Sequence, residues 1–190
     1  MYIEYTKEEI VKFESEIENF CNSKGINLKP QMDLVRVGKD LGFKMYSLTL
    51  PFGIDGVISI GKGAKRIGVN NRLKHMNSRR VIAHELGHYI RQLTKHEGQE
   101  DTLLFAMKDS IFHDEQKSKE ENEMDYYAAA ILVPMDGFVK RLEELNISGI
   151  HSLSQIDNVS LVDRVRLAEI YDVEVSLIER RIVEACKYVG

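Results

Sequence analysis

The stretch VIAHELGHYI (Val81–Ile90) constrains this chain more than any other. His84 and His88 stand at i and i+4 among apolar residues that recur with a helical period. On a helix such positions lie one turn apart on one face, so both imidazoles can reach a single point. Glu85 falls about 100° round the helix from His84, where it can reach a water at that point without joining the histidines. This HExxH spacing is that of a zinc-binding helix whose glutamate serves as general base. Gly87 adds to the constraint. A mid-helix glycine costs about 1 kcal/mol against alanine, and close approach of another backbone is a common reason to keep one. The plainer reading is an amphipathic helix with exposed histidines.

Zinc that keeps one position for water needs a third protein ligand. Arg91 and Thr94 stand where HExxHxxGxxH would place Gly and His, which excludes the metzincin pattern. The remaining source is a glutamate from a later helix, and the acidic cluster KEENEMD (Lys119–Asp125) opens one. Glu121 has Asp125 at i+4 and shares a face with Ala128 and Leu132, whereas Glu120 has Met124 at i+4 and Glu123 has Tyr127. An aspartate one turn beyond the ligand can hold the ring N–H of a ligating histidine, which favours Glu121, with Glu123 next. The cluster also fits a solvated first turn that favours the helix dipole. The small run Ala128–Ala130 is expected to let this helix pack closely beside Gly87.

The rest of the chain supplies an ordinary globular frame. It has 190 residues, 26 Lys+Arg against 30 Asp+Glu, a net charge of −4 and 43% hydrophobic residues. That composition excludes disorder as the dominant state and polyanion binding driven by bulk charge. A capping box at Thr6 and Glu9 opens a first helix with Ile10, Phe13, Ile17 and Phe20 on one face, ended by Gly25. A short helix is predicted over Met32–Leu41. Strands follow over 44–50, 56–60 and 66–70, then helices from Asn77 or Ser78 to Leu93 and from Glu120 to Val133. The polar stretch 94–119 carries no clear signal. Two amphipathic segments over 161–182, broken at Tyr171–Val173, have the spacing of a helix-turn-helix or of a packed helical hairpin. The expected fold class is α+β: a small antiparallel sheet packed on a zincin-like active-site helix (residues 1–145), with a C-terminal helical, helix-turn-helix-like subdomain (146–190) packed on it.

The N-terminus lacks the basic and apolar regions of a signal peptide, and the longest apolar run, Tyr126–Pro134, is far below the ~20 residues that cross a bilayer. Cys21 and Cys186 lack CxxC spacing and read as reduced thiols or, less simply, as a long-range disulfide. The chain is therefore expected in the cytoplasm, with no membrane partner.

Taken together, AHELGHY and the later E-x-x-x-D-x-x-A-A-A-I-L-V-P resemble the ImmA/IrrE family of metallopeptidases, whose second motif runs roughly E-x-x-A-N-x-F-A-A-x-L-L-M-P. Aligned on Pro134, the family's ligand glutamate falls on Glu121 and its Asn/Asp position on Asp125. Met124, Asp125 and Tyr127 depart from the usual Ala, Asn and Phe without removing a ligand. The resemblance, over about residues 30–182, implies a Zn²⁺ cofactor held by His84, His88 and Glu121, with Glu85 catalytic and Asp125 behind the ligands. It also implies a cytosolic endopeptidase of narrow specificity, of prophage, mobile-element or stress-pathway type, that cleaves a helix-turn-helix repressor. A zinc-binding module that sequesters a repressor, and a DNA-binding regulator acting through 161–182, are the rival readings. The near-neutral charge of that segment argues against the second, and so against nucleic acid as a partner.

The strand around Val69 and Asn70 is a candidate to pair with an extended substrate by strand addition. His96, His113 and Tyr126 are the candidate oxyanion donors. From Gly61 to Arg80 stand seven cations (Lys62, Lys65, Arg66, Arg72, Lys74, Arg79, Arg80) and no acid. They read as a solvated face balancing the acidic 114–125 stretch, or as a dock for an acidic partner segment.

Overall fold

The computed structural model describes residues 4–61, 63–95, 103–108, 119–145, 147 and 159–190. These form two compact units, one of residues 33–128 with 23–26, the other of 1–22, 27–32 and 129–190. The division differs from a boundary at 145, because the first helix and the segment after Pro134 group with the C-terminal helices.

Helix α1 (Lys7–Ser23) falls almost wholly in the unit of the C-terminal helices, so the unit holding the HELGH segment starts with helix α2 (Leu34–Asp40). Asp33 caps α2 by accepting from the Arg36 N–H, and Gly42, at φ +87, turns the chain out of it. The sheet contains β1 (Phe43–Leu48), β2 (Ile54–Gly61), β3 (Ala64–Asn70) and β4 (Leu103–Lys108), in the order β1-β3-β2-β4. β2 and β3 form a hairpin, and β3 returns into the place between β1 and β2. Having turned back, it runs parallel to β1, with Met45 opposite Ile67, so the sheet is mixed rather than antiparallel. β4 lies in the polar stretch that carries no clear signal, and it pairs antiparallel with the far side of β2.

Helix α3 (His75–Lys95) lies on β2 and β3. Its apolar face (Val81, Ile82, Ala83, Leu86, Tyr89, Ile90) is buried together with Ile58, Ile60 and Ile67 of the strands. Burial of several such side chains, at about 1.5–3 kcal/mol each, fixes this helix far more firmly than its propensity does. Lys65 strengthens the seam by donating to the Tyr89 hydroxyl at 2.7 Å, its ammonium 4.7 Å from the Tyr89 ring centre. Helix α4 (Lys119–Leu132) follows, and Pro134 ends it.

The second unit contains α1, α5 (Met135–Glu144), α6 (Leu161–Tyr171) and α7 (Val175–Val189). The Thr6–Glu9 capping box forms as expected, with reciprocal bonds of 3.0 and 3.3 Å. Asp172, left-handed at φ 53, makes the break between α6 and α7. Arg181 is wholly buried there. It donates to Glu14 of α1, to Glu184 of α7 and to the Val133 carbonyl. Cys21 and Cys186 are both buried, and neither is in a disulfide.

Candidate metal centre

Residues 81–90 are all buried, and α3 presents His84 and His88 from one face toward α4. The approach of the two helices is set at Gly87. A Cβ there would stand 2.9 Å from the Cβ of Tyr127 and 3.6 Å from the Met124 carbonyl oxygen. The glycine is thus explained by close packing, with Met124 and Tyr127 as the neighbours rather than the alanine run that follows them.

Across this contact, His84 Nε2 lies 3.2 Å from His88 Nε2 and 3.3 Å from Glu121 Oε2, and His88 Nε2 lies 3.7 Å from Glu121 Oε1. Ligands at zinc distances of 2.0–2.1 Å in a tetrahedron are separated by ~3.3 Å, so the three atoms stand at the spacing of one coordination shell. Among the described residues, His84, His88 and Glu121 form a group whose ligand atoms lie within 4.8 Å of one another. Asp125 Oδ1 accepts from His84 Nδ1 at 3.1 Å. With its proton on Nδ1, His84 directs an Nε2 lone pair at the same point that His88 and Glu121 face. Lone pairs and a carboxylate converging in this way repel unless a cation or a proton lies among them.

The protonation tendencies follow from the same crowding. Burial works against a charge on His84, but hydrogen bonds to Asp125 and Glu121 outweigh it and raise its pKa. His88 is lowered to about 4, by burial first and then by the charge of His84. Glu85 is raised to about 8 by burial, with His84 opposing and Glu121 reinforcing the shift. Both Glu85 oxygens are buried and have no hydrogen-bond partner among the described residues. Such atoms are rare in folded proteins and mark a place where a donor is meant to arrive. The residues present therefore fit a zinc ion with an attendant water.

The other acids of the cluster do different things. Glu123 accepts from Arg91 Nη2 at 3.1 Å, a half-buried ion pair that ties α4 to α3. Glu120 is exposed. Glu121 is the carboxylate whose side chain, 36% exposed, opens the group to solvent.

Val69 and Asn70 do not take the part expected of them. β3 is hydrogen-bonded on both sides, Val69 standing opposite Ser47 of β1 and Gly56 of β2, so no open strand edge exists there. Asn70 instead donates to the Ile54 carbonyl at 2.9 Å and accepts from the Arg72 N–H. Tyr126 is fully buried, and His96, His113 and Lys62 lie outside the described residues. The basic run is not one surface. Lys65 and Arg79 are turned inward, Arg80 lies 4.0 Å from Asp55, and Arg66, Arg72 and Lys74 are exposed. A neighbour of the site that no motif announces is Gly56 of β2, whose α carbon lies against the Glu85 carboxylate. Its only sequence signal is a glycine inside an apolar strand pattern.

Comparison with known proteins gives a fold and a family. The fold is similar to that of a solved Mycobacterium tuberculosis transcriptional regulator, with a TM-score of 0.54 and 17% sequence identity, over 94% of this chain and 47% of that one. The chain thus spans about half the length of that regulator, and the likeness is one of fold. No curated protein matches the sequence significantly. Residues 49–182, well over half of the chain, match the peptidase M78 model, described as the IrrE N-terminal-like domain. With both motifs inside the matched span, the chain belongs to the peptidase M78 family.

Proposed function

We propose that this protein is a zinc-dependent endopeptidase of narrow specificity that acts in the cytoplasm on a helix-turn-helix repressor and so releases the genes it silences. The observation that carries the reading is Glu85, wholly buried with both oxygens unpartnered among the described residues, beside three ligand atoms at zinc spacing. His84, His88 and Glu121 would hold Zn²⁺, which when bound would supply Lewis acidity toward a water and toward the carbonyl to be attacked. Asp125 keeps the proton of His84 on Nδ1 and so holds Nε2 toward the group. Glu85 takes the proton of the attacking water. Its burial makes it a stronger base than an exposed carboxylate, and it passes the proton to the departing amide nitrogen. Family membership supports a regulatory rather than digestive role, and the transcriptional regulator of similar fold points the same way.

Direct DNA binding has less support. The cations of α7 are Arg180, Arg181 and Lys187. The first two pair with Glu184, and Lys187 bonds Glu4 and the Tyr5 carbonyl. A recognition helix needs such cations free for phosphates.

Glu85→Gln tests the peptidase reading against sequestration. It keeps size and shape but removes the base, so zinc content and target binding should match wild type while turnover falls about 10²–10⁴-fold. Wild type and Glu85→Gln, each co-expressed with a panel of candidate helix-turn-helix repressors, should differ in one discrete cleavage product, read by mass spectrometry. Derepression that persists unchanged in Glu85→Gln would falsify proteolysis and leave sequestration.

A further inference from the structure

The face of β2 turned toward α3 carries Gly56, Ile58 and Ile60 in alternation, all buried. Two positions bear the β-branched side chain expected of a buried strand, and the third bears none. The glycine is not needed for a turn, since Gly56 lies within β2, opposite Val69 of β3 and Met107 of β4. The ladder with β4 shifts just before it, leaving Asp55 as the extra residue of a bulge. A Cβ on Gly56 would collide with the Cγ1 methyl of Val81 and stand 2.7 Å from Glu85 Oε1. Val81 and Glu85 are one helical turn apart on α3, so the empty side-chain position is filled by these two. Val81 is stiff at χ1, whereas Glu85 can rotate, so a methyl here would move the carboxylate. A glycine inside a strand weakens it, and at this place the missing side chain is explained by the carboxylate seated against the backbone.

We propose that Gly56 is a positioning residue: its bare α carbon forms the seat that fixes where the Glu85 carboxylate stands. The inference rests on Glu85 being the proton carrier of the proposed function, although the steric part stands without it. Bulges and glycines beside a reacting group commonly re-aim one side chain, and here the freedom removed is that of the base.

The test is made in a Val81→Ala background, which removes the rigid collision and leaves Glu85 as the group in the way. Four metal-free proteins are compared by thermal unfolding: V81A, V81A/G56A, V81A/E85A and V81A/G56A/E85A. Adding Gly56→Ala should lower the melting temperature by ~3 °C or more when Glu85 is present and by much less, or not at all, once Glu85→Ala has removed the carboxylate. If V81A/G56A fails to fold, the triple variant should restore folding. Equal costs in both pairs, or no rescue, would overturn the seat. The second arm loads wild type, V81A, V81A/G56A and V81A/E85A with Co²⁺ and records the visible spectrum. V81A/G56A should shift from V81A in the direction of V81A/E85A, since a displaced carboxylate no longer reaches the metal's open position. A spectrum identical to V81A would overturn the positioning role. The unfolding arm needs neither metal nor substrate, so its outcome stands whether or not the peptidase reading fails.

Discussion

At the scale of single residues the site separates acids that look alike in sequence. Glu120, Glu121 and Glu123 sit within four positions, yet Glu121 faces the histidines and Glu123 is engaged by Arg91. Zinc content measured after dialysis should therefore fall to near zero for His84→Ala, His88→Ala and Glu121→Ala and stay close to one per chain for Glu123→Ala. Equal retention by Glu121→Ala and Glu123→Ala would remove Glu121 from the ligand set. Asp125→Ala leaves the three proposed ligands in place but removes the hydrogen bond to the His84 ring, and zinc affinity by competition with a chelator should weaken about 10–100-fold. Cys21 makes a separate point. Burial raises its pKa to about 12, so the thiol stays neutral in weakly alkaline buffer. A group whose folded pKa lies above the unfolded value stabilises fully below the unfolded value. That contribution is lost as pH rises from the ordinary 9.0 toward about 12. Alkylation of Cys21 by iodoacetamide near pH 8 should be about tenfold or more slower in native than in urea-unfolded protein, where a thiol of ordinary pKa is free to ionise. Equal rates would place the thiol in solvent.

At the scale of elements, the helices were legible because their signals are local. The capping box at Thr6, the histidines at i and i+4 and the stop at Pro134 each depend on residues within a turn or two. The strands were legible as segments, but not their order. β1 runs parallel to β3 because β3 turns back from β2 into the place between β1 and β2, a choice made across more than twenty residues of chain. β4 was not legible as a strand, although Leu103–Met107 is an apolar run of strand length, because such a run has no period to separate strand from buried helix and only its pairing with β2 decides it. The packing of α3 on α4 makes a prediction about Gly87. Alanine there gains about 1 kcal/mol of helix propensity. It must also push against the Tyr127 Cβ at 2.9 Å, and overpacking of this kind costs about 1–3 kcal/mol. The collision should win. Gly87→Ala is expected to lower stability in urea and to weaken zinc binding, because the same contact spaces His84 and His88 from Glu121. A more stable Gly87→Ala protein would mean that the helices do not need this approach.

At the scale of the whole molecule, Arg181 is the counterpart in the second unit of what the histidines are in the first. Its guanidinium joins α1 through Glu14, α7 through Glu184 and the end of α4 through the Val133 carbonyl. Glu14 also accepts from the Met135 N–H at the start of α5. Removing a buried partner leaves uncompensated charge, so Arg181→Ala should cost about 3–5 kcal/mol by urea unfolding. That is far more than Arg141→Ala should cost at an exposed pair. A loss below ~1 kcal/mol for Arg181→Ala would show that the acids find water instead.

By itself, the sequence determined the helix bearing His84 and His88, the acid between them at Glu85 and the α+β class, and it favoured Glu121, with Asp125 one turn on, over Glu123. The residue pairs rest on periodicity within one helix, where spacing along the chain is spacing in space. The tertiary structure decided what depends on elements meeting: the mixed sheet, the closed flanks of β3 that leave Val69 and Asn70 no partner to take, and the pairing of Glu123 with Arg91. It also decided that the Glu85 carboxylate rests against a bare α carbon on β2, some thirty residues earlier in the chain. No local pattern can carry that information, because a glycine in a strand looks the same whether it faces a carboxylate or only another strand.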